Sequence, residues 1–188
     1  MANTINATSG IGIVSTADNT NELILQTNGT NAISIDSSQN VSFAQTLNLG
    51  VAGTTVELTL AAALETVTIA ATAATGTINY DVATQSILYF TSNASANWTL
   101  NIRGSSSVTL NSLMSNGQSI TITHLVTQGS TAYYNSAVTV DGSSVTPKWS
   151  GGSAPTSGNV NSVDAYTYTL VKTGSGSFTV FASQTRYA

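Results

Sequence analysis

Residues 97–103 of the chain read NWTLNIR, and residues 118–127 read QSITITHLVT. In the first segment, Trp98, Leu100 and Ile102 occupy every second position, and polar residues lie between them. Because the side chains of a β-strand point alternately to opposite faces, this period of two predicts a strand with one buried face. The second segment repeats the pattern and predicts a second strand of the same kind.

The remainder of the second half also contains segments that predict β-strands. Residues 86–91 read SILYFT and are apolar on both faces, which predicts a central strand. Turn signals, among them Asn116-Gly117 and Asp141-Gly142, separate the apolar segments. About eight short strands with turns at this spacing predict an antiparallel β-sandwich, jelly-roll-like, over residues 76–188.

The first 75 residues contain shorter apolar pieces that alternate with turn residues. Strands this short bury little surface alone, so a repeat of them needs neighbouring chains to form a core. We therefore expect an all-β protein whose residues 1–75 form an intertwined N-terminal stem. The alternative is an irregular β-meander that rests on the second half. The residues expected in the stem core and oligomer interface are Ile33, Ile35, Val41, Phe43, Leu47 and Leu49.

The composition excludes several functional classes. The chain has 188 residues, of which 6% are charged and 41% hydrophobic, whereas roughly 25% of residues are charged in an average globular protein. Because the chain has no cysteine, it has no disulfide framework and no zinc-thiolate site. Four basic residues and a net charge of -4 argue against nucleic-acid binding. No apolar run is long enough to insert into a membrane.

The acidic residues and the single histidine predict no catalytic site, no metal site and no cofactor. The acids stand alone and lack the D-x-D-x-D-G spacing of a calcium loop. Glu57 and Glu65 lack the surroundings of a glycosidase carboxylate pair. No G-x-S-x-G elbow accompanies His124. We therefore expect the chain not to be an enzyme.

The candidates for surface contact are Trp149, Tyr133 and Tyr134. Trp149 lies in the segment PKWSGG, and an exposed indole there, with Tyr166 or Tyr168, could stack on a sugar ring. The alternative is that Trp149 closes one end of the sandwich. Tyr133 and Tyr134 follow a Gly-Ser pair, and we expect at least one of them to face outward.

Two titratable residues have a structural and a functional interpretation. His124 shares a strand face with Ile120 and Ile122, which favours a core or subunit-interface histidine over a pH switch. Asp164 is the first residue of a predicted strand, and we expect its carboxylate to act as a cap or to pair with Lys148 or Arg103.

Residues 4–43, TINATSGIGIVSTADNTNELILQTNGTNAISIDSSQNVSF, resemble the beginning of tail-fibre and virion structural proteins of tailed bacteriophages, especially marine phages and cyanophages. Three segments of the second half resemble a domain of the same proteins. These segments are LYFTSNASANWTLNIRG (88–104), VDGSSVTPKWSGGSAPTSGN (140–159) and DAYTYTLVKTGSGSFTVFASQTRYA (164–188).

This resemblance implies a non-enzymatic virion structural protein, a fibre-like homotrimer of the tail. It implies synthesis in the host bacterial cytoplasm and a final position on the tail or the capsid exterior. The N-terminal region would attach to other virion proteins, and the C-terminal head domain would contact a host surface glycan or protein. The alternative is a capsid decoration or head-fibre protein that stabilises or decorates the head. The number three comes from the resemblance alone.

Overall fold

The computed structural model describes residues 23–27, 30–44 and 61–188. The chain divides into two compact units, Met1–Ala61 and Ala62–Ala188, which we name the N-terminal unit and the C-terminal unit. This division lies earlier in the chain than the predicted boundary after residue 75. The reason is that Val67–Ala73 forms a strand that pairs inside the C-terminal unit.

In the N-terminal unit the described residues form a three-stranded antiparallel sheet. Its strands are β1 (Leu23–Thr27), β2 (Thr30–Ile35) and β3 (Val41–Phe43), paired in that order. Asp36 shapes the turn between β2 and β3, because its Oδ1 accepts from the backbone N–H groups of Ser38 and Asn40, both at 2.9 Å. Hydrogen bonds from Asn40, first of all from its side chain, lower the pKa of Asp36.

The C-terminal unit consists of strands, one short helix and one 3-10 turn at Ser150–Gly152. In chain order its elements are β4 (Val67–Ala73), β5 (Gly76–Asp81), β6 (Ile87–Ser92), β7 (Trp98–Arg103), α1 (Leu110–Leu113), β8 (Ser119–Thr127), β9 (Asn135–Val140), β10 (Ser143–Val145), β11 (Lys148–Trp149), β12 (Val163–Gly174) and β13 (Ser177–Tyr187).

These strands form two sheets, and the chain alternates between them from β4 to β9. The six-stranded sheet has the order β11-β13-β12-β8-β6-β4, and the four-stranded sheet has the order β10-β9-β7-β5. β4, β6 and β8 are parallel neighbours in the first sheet, and β5, β7 and β9 are parallel neighbours in the second. The strand pairs β4–β5, β6–β7 and β8–β9 therefore each form one coil, with one strand in each sheet, and we name the three successive coils the winding. The longer β12 and β13 pair antiparallel next to β8.

The structure confirms the all-β prediction and corrects the strand pairing. The predicted antiparallel sandwich requires most turns to join neighbouring strands of the same sheet. Between β4 and β9 the connections instead carry the chain from one sheet to the other, so consecutive strands do not pair and the neighbours in each sheet are parallel. This winding differs from the antiparallel, jelly-roll-like arrangement that we expected. The Asp141-Gly142 hairpin is confirmed, with positive φ at both residues, between β9 and β10.

The core lies between the two sheets. Trp98, only 1% exposed, projects from β7 and meets the rings of His124 and Tyr166, which belong to the six-stranded sheet, edge-on at 5.7 and 5.6 Å. Leu100 and Ile102 are buried with it, and the residues between them are half-exposed, as the alternation predicts. Burial of apolar surface on both inner faces is the main stabilising term of this unit.

On its outer face, the four-stranded sheet carries a row of hydrogen bonds between stacked side chains. Asn101 Nδ2 donates to Asn79 Oδ1 at 2.8 Å, and Asn101 Oδ1 accepts from Thr139 Oγ1 at 2.8 Å. One row further, Arg103 Nε lies 2.6 Å from Asp81 Oδ1. These partners are directly paired in the parallel register of β5, β7 and β9, so equivalent positions of successive coils contact each other.

Side chains at both ends fix α1. The carboxylate of Asp141 accepts from the backbone N–H groups of Leu110 and Asn111 at 2.7 and 2.9 Å. At the other end, Nζ of the buried Lys172 donates to the carbonyls of Asn111 and Met114 at 2.5 and 2.7 Å. An anion at the first turn and a cation at the last turn both stabilise a helix.

Candidate functional site

The sheet of the N-terminal unit carries most of its large apolar side chains on one face. Residues that pair directly across strands share a face, and the pairing forms two rows of three residues. We name this surface the N-terminal apolar face. Its rows are Leu23, Ile35 and Val41, and Leu25, Ile33 and Phe43. Ser34 and Ser42 lie on the opposite face, next to Ile24.

Nothing in the described part of the N-terminal unit covers this face. None of its described residues with an assigned exposure is buried; Leu25 is 51% exposed and Val41 is 53% exposed. A single sheet without a second layer cannot bury an apolar face and is marginal in water. The N-terminal apolar face therefore has the chemistry of an association surface.

Four of the six residues predicted for the stem interface lie on this face: Ile33, Ile35, Val41 and Phe43. Leu47 and Leu49 lie outside the described residues. Sequence reasoning missed Leu23 and Leu25, because three consecutive apolar residues in β1 obscure the period of two. Their assignment depends on the register between β1 and β2.

A second candidate is a cleft of about 650 Å³ in the C-terminal unit. It lies where the two sheets end, beside their edge strands β10 and β11, and β9 contributes Asn135 to Val138 to its wall. The residues that give it chemical character are Trp149, Asn135, Ser136, Ser144, Thr146 and Lys148. We name this cavity the Trp149 cleft. Its volume lies in the usual range for small-molecule sites.

The indole of Trp149 has a fixed support. It packs edge-on against Tyr168, with ring centroids 6.1 Å apart, and Tyr168 is completely buried. The hydroxyl of Tyr168 donates to Asn135 Oδ1 at 2.9 Å, and Asn135 Nδ2 donates to the carbonyls of Ala137 and Trp98. Burial raises the pKa of Tyr168 well above its ordinary value, so the phenol stays protonated.

The other predicted contact residues do not join Trp149 in this cleft. Tyr133 and Tyr134 are both half-buried and do not line it. The backbone of Tyr133 exchanges two hydrogen bonds with the side chain of Gln128, at 2.7 and 3.0 Å. Tyr166 is completely buried, so neither it nor Tyr168 presents a ring face to solvent. Trp149 is therefore the aromatic residue of this group that lines the cleft.

His124 lies in the core and not in a site. It is completely buried, its ring contacts Phe90 and Trp98 edge-on, and neither ring nitrogen has a hydrogen-bond partner among the described residues. Burial lowers its pKa to about 3. The histidine is therefore neutral at ordinary pH, and its location agrees with the core interpretation.

Asp164 is buried as well, but it is fully hydrogen-bonded. It accepts from Gln128 Nε2 at 3.0 Å, from the backbone N–H of Asn159 at 3.0 Å and from Asn159 Nδ2 at 2.5 Å. The expected ion pair of Asp164 with Lys148 or Arg103 is therefore wrong, and Arg103 pairs with Asp81 instead. The carboxylate ties the loop before β12 to the segment after β8.

In the described ranges, no group of three or more His, Asp or Glu side chains comes close enough together to hold a metal ion. Within those same ranges, no helix is long and apolar enough to cross a membrane. No known family model, curated protein or solved structure matches the chain.

Proposed function

We propose that the chain is a non-enzymatic structural protein of a tailed-phage virion, a fibre-like homotrimer of the tail. In this proposal the N-terminal unit joins the copies and attaches them to the particle. The C-terminal unit is exposed and contacts the host surface. The resemblance of residues 4–43 and of the second half to virion proteins supports the assignment to a virion.

The observation that carries the proposal is the N-terminal apolar face, which no described residue of its unit covers. Its six side chains are all uncharged and aliphatic or aromatic, so identical faces can meet without charge repulsion. Exposed contiguous apolar patches mark interaction surfaces. When several copies present the same face to a common axis, each supplies the layer that the others lack.

The C-terminal unit differs, since it has its own core between two sheets. A unit that is stable without partners is suited to a position at the exposed end of a fibre. Hydrogen-bonded rows such as Asn79, Asn101 and Thr139 stabilise its outer face with few charges.

The test is the oligomeric state of two variants of the full chain. Ile35→Asp places a charge in the middle of the N-terminal apolar face and should prevent assembly, because an unpaired carboxylate would be buried. Ser34→Asp is the matched control, with the same new charge one residue away on the opposite face. Analytical ultracentrifugation should show a trimer for the wild type and for Ser34→Asp, and smaller species for Ile35→Asp. A soluble, fully assembled Ile35→Asp protein would contradict the proposal.

Gold-labelled antibodies against the chain test its place on the particle. We expect label on the tail. Label over the capsid would contradict the tail assignment and favour a protein that decorates the head.

A further inference from the structure

The Trp149 cleft has a lining that selects one class of ligand. No Asp or Glu belongs to the described residues that line it, and Lys148 contributes its single basic group. The ammonium of Lys148 lies 5.7 Å above the ring of Phe181, which does not line the cleft. With one ammonium and no carboxylate, the lining does not favour a cationic ligand.

Hydroxyl groups supply the polar character of the cleft. The side chains of Ser144 and Thr146 make no hydrogen bond to any described residue. Ser136 Oγ donates to the carbonyl of Trp98 at 3.2 Å, and its remaining lone pairs can accept. The hydroxyls of Ser144 and Thr146 can both donate to and accept from a ligand that is rich in hydroxyl groups, and the hydroxyl of Ser136 can accept.

Trp149 provides the apolar counterpart. Tyr168 holds the indole from the core side, so the ring needs little ordering when a ligand binds. Gly151 and Gly152 follow with φ of 77° and 83°, and nothing within 4 Å occupies the space of an added Cβ at either residue. The rim beside the indole is therefore open. A flat, rigid aromatic surface next to neutral hydroxyls is complementary to a sugar ring, which has apolar C–H faces and a polar edge.

We propose that the Trp149 cleft binds a neutral saccharide, with one pyranose ring against Trp149 and its hydroxyls bonded to Ser136, Ser144 and Thr146. This inference names a ligand class for the exposed unit and so rests on the proposed function for its biological context. Binding itself requires only the C-terminal unit of the intact chain.

The experiment is calorimetric titration of the full chain with glucose, galactose, mannose and N-acetylglucosamine, each as the free sugar and as a disaccharide. At least one saccharide should bind and should change the tryptophan emission. The chain has two tryptophans, and Trp98 is buried in the core, so the change reports on Trp149. A panel in which no sugar binds overturns the inference.

Variants locate the bound sugar. Trp149→Ala should weaken binding about tenfold or more, because the aromatic surface is lost. Thr146→Val keeps the shape of an exposed side chain and should weaken binding about fivefold through the lost hydroxyl. Tyr187→Ala is the control, since it removes an exposed aromatic ring that does not line the cleft. Unchanged affinity in Thr146→Val and Trp149→Ala, or an equal loss in Tyr187→Ala, overturns the inference.

Ultracentrifugation of the same samples separates the two proposals. A trimer that binds no saccharide contradicts this inference alone. A monomer that binds a saccharide through Trp149 contradicts the proposed assembly alone.

Discussion

Strands of both units alternate apolar and polar residues, but the apolar faces have different surroundings in the two units. In the N-terminal unit, the alternation in β2 and β3 produces a sheet whose apolar face is not covered by any described residue of that unit. In the C-terminal unit, the alternation in β7 and β8 faces a second sheet, and the apolar side chains are buried. Alternation alone therefore fixes which side chains share a face, and a second layer decides whether that face is a core or an interface.

The largest expected effect separates the stability of the two units. Trp98→Ala removes the largest fully buried side chain and should lower the free energy of unfolding of the C-terminal unit by about 3–5 kcal/mol. Leu25→Ala, on the half-exposed N-terminal apolar face, should leave that transition unchanged and weaken assembly instead. Urea unfolding of both variants, with ultracentrifugation, measures the two effects. Equal losses in the unfolding transition would show that the units are not independent.

The second prediction concerns the effect of acid on the stability of the C-terminal unit. His124 is the single histidine of the chain, and its pKa is about 3 in the folded protein against 6.5 for an unperturbed histidine. The unfolded state therefore gains a proton below pH 6.5, whereas the folded state does not until about pH 3. The contribution of the neutral His124 to the free energy of unfolding is therefore fully present above pH 6.5. We expect it to fall by about 2 kcal/mol between pH 7 and pH 5.

Urea unfolding of the C-terminal unit at several pH values measures this loss. His124→Leu should remove most of the dependence in that range, because it keeps an apolar side chain of similar size in the core. A slope that is the same with and without His124 would contradict the assignment of the acid sensitivity to this residue.

The smallest effect concerns the outer face of the four-stranded sheet. Asn101→Ala removes the bonds to Asn79, Thr139 and the backbone N–H of Gly142, and should cost about 1 kcal/mol. Thr99→Ala is the matched control, on the same strand and face. Thermal unfolding should show a lower melting temperature for Asn101→Ala than for Thr99→Ala. The same melting temperature in both would mean that the stacked bonds add nothing to stability.

The burial pattern of the fold could be predicted from the sequence, and the strand pairing could not. Period two identified Trp98, Leu100 and Ile102 as buried, and the structure confirms them. Parallel and antiparallel strands with one buried face show the same alternation of apolar and polar residues. The sequence pattern therefore could not indicate that β4 to β9 alternate between two sheets. The turn at Asp141-Gly142 was predictable because a two-residue hairpin turn needs positive φ at both central positions, which Asp and Gly tolerate.

In the candidate sites, too, single residues could be predicted from the sequence, but their contacts with distant segments could not. Trp149 was identified from its local sequence, but Ser136 and Ser144 reach the cleft only because β9 and β10 pair. The predicted ion pair of Asp164 was wrong because an isolated acidic residue in a sequence suggests a basic partner. In the fold, the side-chain amides of Gln128 and Asn159 instead donate to its carboxylate. Contacts between distant segments depend on which strands pair, and the alternation within one strand does not specify its partner.

The alternation of the chain between two sheets makes the length of the C-terminal unit adjustable. A duplication of the segment from β6 to β7 would add one strand to each sheet and lengthen the body by about 4.8 Å. Because β10 and β11 lie at the opposite sheet edges from β4 and β5, the added coil would leave the Trp149 cleft unaltered. The length of the C-terminal unit and the lining of the Trp149 cleft can therefore change independently of each other.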